Sequence, residues 1–112
     1  MLRFERLTDV SHPLYGAALK LYQASFPYHE QRTEQFQRLV VENAADYRFT
    51  LIYDGAEWVG ECLYWEGPGF RYVEHFCTRP ELRGRSYGAQ DEAKLREAGI
   101  AVVLEIDPPV DD

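Results

Sequence analysis

The chain is 112 residues long, with 12 Lys and Arg against 19 Asp and Glu, a formal net charge of −7. That length fits one domain over residues 1–112, and 46% hydrophobic with 14% aromatic content is enough apolar mass to bury a core, which excludes disorder. The longest unbroken apolar run, Ile100 to Leu104, is five residues, against the ~20 that span a bilayer, and an acidic chain repels phosphate backbones, so neither membrane nor nucleic acid is expected as a partner.

The opening Leu2-Arg3-Phe4-Glu5-Arg6-Leu7 alternates apolar and charged residues and predicts a half-exposed strand. Its charges also interrupt any secretory leader, so a cytoplasmic location is expected. Ser11-His12-Pro13 reads as a helix start, with a capping hydroxyl and a proline in the first turn. Leu14, Ala17, Ala18, Leu21 and Tyr22 keep the helical period as far as Ser25-Phe26-Pro27. A second helix is predicted over Glu34 to Asn43, with Phe36, Leu39, Val40 and Ala44 on its buried side.

Tyr47 to Tyr53 and Glu57 to Trp65 then read as a strand pair around Asp54-Gly55, a strong turn signal. Gly67-Pro68-Gly69 is a further turn, and Phe70 to Thr78 a third strand of that meander. Ser86 to Ala98 is helical, Gly99 ends it, and the β-branched run from Ile100 to Ile106 predicts a strand buried on both faces and parallel to its neighbour. The order β-α-α-β-β-β-α-β is an α/β mixture (α+β) with a partly antiparallel sheet. Asp107 to Asp112 reads as a frayed acidic tail.

Cys62 and Cys77 lie 15 residues apart with no Cys or His pair nearby, and His12, His29 and His75 show no ligand spacing. No metal is expected, and both thiols are expected to be buried and reduced.

The chemistry concentrates in Val73-Glu74-His75-Phe76-Cys77-Thr78-Arg79-Pro80-Glu81-Leu82-Arg83-Gly84-Arg85-Ser86-Tyr87-Gly88. A glycine-containing loop that enters a helix presents unpaired N–H groups and the positive end of the helix dipole to an anion. Gly84 and Gly88 let a backbone come close, and Arg83 and Arg85 add charge. On composition alone, a solvated turn capped by Ser86 fits equally well. Glu74 is the candidate general base, since burial on a central strand raises a carboxyl pKa. By the period of two, Tyr72 and Thr78 share its face, and His75 points to the other.

Arg83-Gly84-Arg85-Ser86-Tyr87-Gly88 resembles the acyl-CoA loop of GNAT-type N-acetyltransferases, whose pattern is Arg/Gln-x-x-Gly-x-Gly/Ala. Phe76 to Leu82 resembles that family's fourth strand and the Pro-Glu turn after it, and Leu104-Glu105-Ile106-Asp107-Pro108-Pro109 the end of its fifth. The resemblance implies acetyl-CoA as co-substrate and direct attack by the primary amine of a small molecule or a protein. The backbone from Arg83 through Arg85, Ser86 and Tyr87 to Gly88 would hold the pyrophosphate, and that of Phe76, Cys77 and Thr78 the pantetheine arm. One N–H of that strand would face the thioester oxygen. Phe26, Tyr28 and Glu30, between the first two helices, would shape the acceptor pocket. An alkyl ammonium has a pKa near ~10.4, hence the need for a base.

Three features depart from the family. Ser86 stands at the loop's second glycine position. Asp91 and Glu92 make the following helix polar where the family places large apolar residues. After its fifth strand the family continues with a helix and two strands, carrying a tyrosine that protonates the departing thiolate, whereas this sequence ends at Asp112. A short form, a fragment, or a fold completed by a second subunit would each account for that, and a homodimer through the last strand's edge is expected. Tyr72, Tyr64 and Tyr87 are then the candidate acids. The alternatives to an enzyme are a catalytically silent acyl-CoA-binding or dimerising module and an unrelated α+β protein.

Overall fold

Strand β1 (Leu2–Leu7) is followed by helices α1 (Tyr15–Ser25) and α2 (Glu34–Asn43). Strands β2 (Tyr47–Asp54), β3 (Glu57–Gly67) and β4 (Phe70–Thr78), a short 3-10 turn at Pro80–Leu82, helix α3 (Tyr87–Leu95) and strand β5 (Ala101–Leu104) complete the order. The structure is a computed structural model and describes residues 2–26, 31–85, 87–96 and 101–104. The strands lie in the sheet in chain order. The first four are antiparallel neighbours, and β5 joins β4 in parallel from Phe70↔Ala101 to Val73↔Leu104. The mixed sheet read from the period changes is the one observed.

Helices cover both faces of the sheet, so β2 and β3 are apolar on both sides. On one face α1 and α2 bury Tyr15, Ala18, Leu19, Tyr22 and Val41 against Leu7, Phe49, Leu51 and Leu63. On the other, Leu82 and the α3 residues Tyr87 and Leu95 pack on Ile52, Val59, Cys62, Tyr64 and Val73.

Both helices of the first face differ from their expected registers. α1 begins at Tyr15 rather than after Ser11. The Asp9 carboxylate accepts the Ser11 N–H at 2.8 Å and the Asp9 carbonyl accepts the His12 N–H at 3.1 Å. An aspartate that captures the backbone two residues on makes a turn of the segment, and Ser11 caps nothing in α1. Ala17 is exposed, and Tyr15 and Leu19 take the buried places. α2 has the expected bounds, with the Thr33 hydroxyl accepting the Phe36 N–H at 3.2 Å. Val40 and Ala44 pack partly buried against the core as expected, but the fully buried residues are Gln37 and Val41, while Phe36 and Leu39 are each 53% exposed. Gln37 sets this rotation. Its amide donates to the Tyr47 hydroxyl at 2.9 Å and its carbonyl accepts from Arg32 at 3.3 Å, so a polar group bonded at both its nitrogen and its oxygen occupies the seam.

β3 and β4 run unusually close at Gly60. A β-carbon there would lie 2.3 Å from the Cys77 carbonyl oxygen and 3.0 Å from the Thr78 Cα, both backbone atoms that cannot turn away. Gly60→Ala is therefore expected to destabilise the protein by about 3 kcal/mol. Gly16, in the first turn of α1, has nothing within 4 Å of such a β-carbon, and Gly16→Ala should stabilise by about 0.5–1 kcal/mol. Urea unfolding midpoints of the two variants should move in opposite directions.

Candidate active site

β4 does not keep the period of two. Leu63 pairs with His75 and Tyr64 with Val73, so Glu74 is the extra residue of a bulge. Beyond a bulge each residue changes face. Directly paired residues share a face. Tyr72, opposite Trp65, and His75, opposite Leu63, lie on the α1/α2 side, whereas Phe76, opposite Cys62, and Thr78, opposite Gly60, lie on the α3 side. This corrects the expected alternation. Tyr72, Glu74 and His75 share one face, and Thr78 is on the other.

The Glu74 carboxylate is held on the α1/α2 side. Its Oε2 accepts from the Arg32 guanidinium at 2.8 Å and from the Trp65 indole N–H at 3.2 Å. Arg32 comes from the turn before α2, lies 5.2 Å above the Tyr47 ring, and donates its backbone N–H to the Tyr22 hydroxyl at 3.1 Å. Arg71 and Arg79, the partners nearer in sequence, are engaged elsewhere. Arg71 pairs with Glu66 at 3.0 Å, and Arg79 with Glu81 at 2.9 Å and the Trp58 carbonyl at 2.8 Å. His75 is buried, with its ring centroid 4.2 Å from that of Phe26 and 5.2 Å from that of Tyr22. Phe26 thus reaches the bulge, while Tyr28 and Glu30 lie outside the described residues.

At the far end of β4 the backbone decides what can be offered. The Arg79 N–H donates to the Val59 carbonyl at 2.8 Å. Alternate residues of a strand direct their backbone groups to alternate sides, so Cys77 faces β3, which agrees with its carbonyl crowding Gly60. Phe76 and Thr78 direct theirs to the side on which β5 joins the sheet. After the 3-10 turn, Arg83, Gly84 and Arg85 are exposed, and Gly84 has φ +87°, a conformation that side chains rarely adopt. Tyr87 opens α3 and donates to the Asp54 carboxylate at 2.9 Å, a bond that raises its own pKa and ties the helix to the β2–β3 turn. Gly88 lies in the first turn of α3, and Ser86 is outside the described residues.

Among the candidate acids, Tyr72 is on the Glu74 face. Tyr64 is buried on the opposite face, and burial pushes its hydroxyl pKa up. Both cysteines are buried and neither is in a disulfide among the described residues, and burial raises the Cys62 thiol pKa well above its usual value.

Sequence reasoning did not single out Arg32, Trp65 or Glu61. Arg32 and Glu74 are 42 residues apart, and nothing local in the sequence connects them. Glu61 did carry a signal, as the lone acid in Val59-Gly60-Glu61-Cys62-Leu63. It is fully buried between Leu51 and Cys77 on neighbouring strands, and neither carboxylate oxygen has a hydrogen-bond partner among the described residues. Burial drives its pKa well above the ordinary carboxylate range.

Among the described residues, no group of three or more His, Cys, Asp or Glu is placed to hold a metal ion, and no helix is long and apolar enough to cross a membrane. No family model and no curated protein matches the sequence. Solved structures do. A Bacteroides thetaiotaomicron protein described as a GNAT-family acetyltransferase superposes with a TM-score of 0.84 at 32% identity, over 98% of this chain and 63% of that one. A ribosomal-protein-alanine N-acetyltransferase from Brucella melitensis biovar Abortus 2308 matches at 0.64 and 15% identity, over 96% of this chain and 79% of that one. An aminoglycoside acetyltransferase from an uncultured soil metagenomic sample matches at 0.59 and 16%, over 100% and 84%. The last two show the fold alone. The chain spans 63% of the length of the Bacteroides protein, is 32% identical to it over the matched part, and from β1 to β5 has the fold of the GNAT acetyltransferases.

Proposed function

We propose that the protein transfers an acetyl group from acetyl-CoA to a primary amine. The observation that carries this reading is the end of β4. Backbone groups of Phe76 and Thr78 point to the β5 side, and the strand leads through Arg83 and Arg85 around Gly84 at φ +87° into α3. A loop of that form suits a pyrophosphate. Its glycine brings backbone N–H groups close, its arginines add charge to an otherwise acidic chain, and the helix N-terminus adds a positive dipole end. Arg83, Gly84, Arg85, Ser86, Tyr87 and Gly88 would hold the phosphates, and Phe76 and Thr78 the pantetheine amides. Cys77 would contribute by fixing that strand to β3.

Bound acetyl-CoA supplies a thioester carbonyl for direct attack. Glu74 takes the proton of the incoming ammonium, and Tyr72, on the same face, gives a proton on the departing side. Phe26 lines the acceptor pocket, followed along the chain by Tyr28 and Glu30. The acidic balance of the chain favours a cationic acceptor. The names of its fold neighbours, a ribosomal-protein-alanine N-acetyltransferase and an aminoglycoside acetyltransferase, point the same way.

The test is release of free CoA thiol from acetyl-CoA in the presence of n-butylamine, phenethylamine or a lysine-containing peptide. Amine-dependent release is expected, falling about 100-fold in kcat/KM in Glu74→Gln, the size of a general-base contribution. Absence of release with every amine overturns acetyl transfer. Release that Glu74→Gln leaves unchanged removes Glu74 as the base.

A further inference from the structure

An acid stands close to the loop read as the phosphate cradle. The Asp54 carboxylate, at the end of β2, accepts the Tyr87 hydroxyl at 2.9 Å, and Tyr87 is the residue on which α3 opens. A carboxylate near an anion site weakens that site by repulsion, so its place there calls for a reason.

The reason lies in how α3 is seated. Among its described side chains the buried ones are Tyr87, Asp91 and Leu95. Their spacing of four makes one narrow row, whereas a helix docked by apolar contact alone presents a broad stripe. The middle of the row is itself a carboxylate, set against the Cys62 thiol of β3. A single row fixes the roll of a helix about its axis weakly, and here polar ties at both ends fix it instead. At the C-terminal end Arg71 donates to the Leu95 carbonyl at 2.8 Å and is held in turn by Glu66 at 3.0 Å. At the N-terminal end the tie is Tyr87 to Asp54. The bond to Asp54 raises the pKa of the Tyr87 hydroxyl, and the Arg85 guanidinium lies near enough to the same oxygen to oppose that rise. One hydroxyl thus stands between Asp54 and a cation of the loop.

Resting on the acetyl-transfer reading, in which this loop holds the CoA phosphates, we propose that Asp54 is a positioning residue for the cofactor. It acts through the Tyr87 hydroxyl, which fixes the first turn of α3 and keeps Arg85 at the loop. Backbone N–H groups and cation are then ordered before the diphosphate arrives, and ordering in advance raises affinity. The gain goes to a donor that carries phosphates and not to one that lacks them.

The sign of the effect tests the proposal. CoA is titrated by calorimetry into wild type, Tyr87→Phe and Asp54→Asn. Tyr87→Phe keeps the ring and the backbone N–H and removes only the hydroxyl, and Asp54→Asn keeps the shape and removes the charge. Kd for CoA should rise about tenfold in Tyr87→Phe, as for loss of a hydrogen bond to a charged group, and about threefold in Asp54→Asn, which retains a neutral acceptor. The double variant should bind no more weakly than Tyr87→Phe alone, since the two residues act as one unit. In turnover with n-butylamine, Asp54→Asn should lower kcat/KM for acetyl-CoA by about the same threefold. With S-acetylpantetheine, a donor without phosphates, its kcat/KM should match the wild type.

Tighter CoA binding in Asp54→Asn, the result for a merely repelling charge, overturns the proposal. So do equal Kd values in all the proteins, penalties that add in the double variant, or a fall with both donors, which a merely structural role would give. Asp54→Asn keeps the proposal open to refutation if Tyr87→Phe does not fold. Kd values that shift as expected without amine-dependent release of CoA from acetyl-CoA would refute acetyl transfer and leave the positioning intact. Release with unchanged Kd values would do the reverse. Wild-type protein that takes up no CoA refutes both.

Discussion

Saturating acetyl-CoA is expected to raise the thermal unfolding midpoint by on the order of 10 °C, and the double variant Arg83→Ala, Gly84→Asp is expected to lose that rise. A ligand that binds only the folded state adds about 2.7 kcal/mol at 100 times its Kd. For a domain near 100 residues, each kcal/mol moves the midpoint by roughly 4–8 °C. The variant is aimed at the loop alone. Arg83 and Gly84 are exposed, so no core packing is lost. At φ +87° an aspartate is one of the less strained replacements for glycine, yet its charge repels a phosphate and its β-carbon keeps the phosphate off the backbone. The variant's own midpoint without ligand should stay within a few degrees of the wild type. A rise of equal size in both proteins would place the phosphates elsewhere. No rise in folded wild-type protein would remove the acyl-CoA reading.

The element order was legible because each boundary is marked by its own local chemistry. Asp54-Gly55 and Gly67-Pro68-Gly69 punctuate the meander, and the period changes from two to that of a helix after Thr78. Whatever depended on contacts between distant residues was not legible. α2 kept its bounds and the inward Val40 and Ala44, but not Phe36 and Leu39, because Gln37 is inward only in the presence of Tyr47 and Arg32. α1 kept its end but not its start, because Asp9 captures the backbone that Ser11 was expected to cap. The candidate site could be proposed from the sequence as a segment and not as a geometry. Glu74 was singled out by its place on β4, yet strict alternation assigned wrong faces to its neighbours, since a bulge leaves no signature in the residue types. Its guanidinium partner was out of reach for the same reason as the rotation of α2. One turn, with Arg32, supplies both.

Glu61 is expected to make stability fall as pH rises. Its carboxyl is buried on β3 with neither oxygen partnered among the described residues, and burial drives its folded-state pKa well above the ordinary value. A raised folded-state pKa means that the folded protein holds the proton where the unfolded chain has released it. The stabilising contribution is therefore complete below the unfolded value, about 4.5, and is lost as pH rises through the folded-state value. Over that window stability should fall by roughly 1.4 kcal/mol per pH unit for this one proton. Other groups add slopes of their own, so the observable is the difference from Glu61→Gln, which has the same shape and no proton to lose. Urea unfolding from pH 5 to pH 8 should bring the two curves together at the acid end and separate them until the folded-state value is passed, with Glu61→Gln the more stable. Glu61→Leu, which removes the buried polar group altogether, should be more stable than the wild type at pH 8. Curves that stay parallel would mean that the carboxyl reaches solvent or a partner in solution. Because Glu61 faces Cys77, whose backbone is turned toward β3 and not toward the proposed pantetheine edge, the stabilisation by acetyl-CoA should survive in Glu61→Gln. Stability and cofactor binding would then respond to different residues on the same pair of strands.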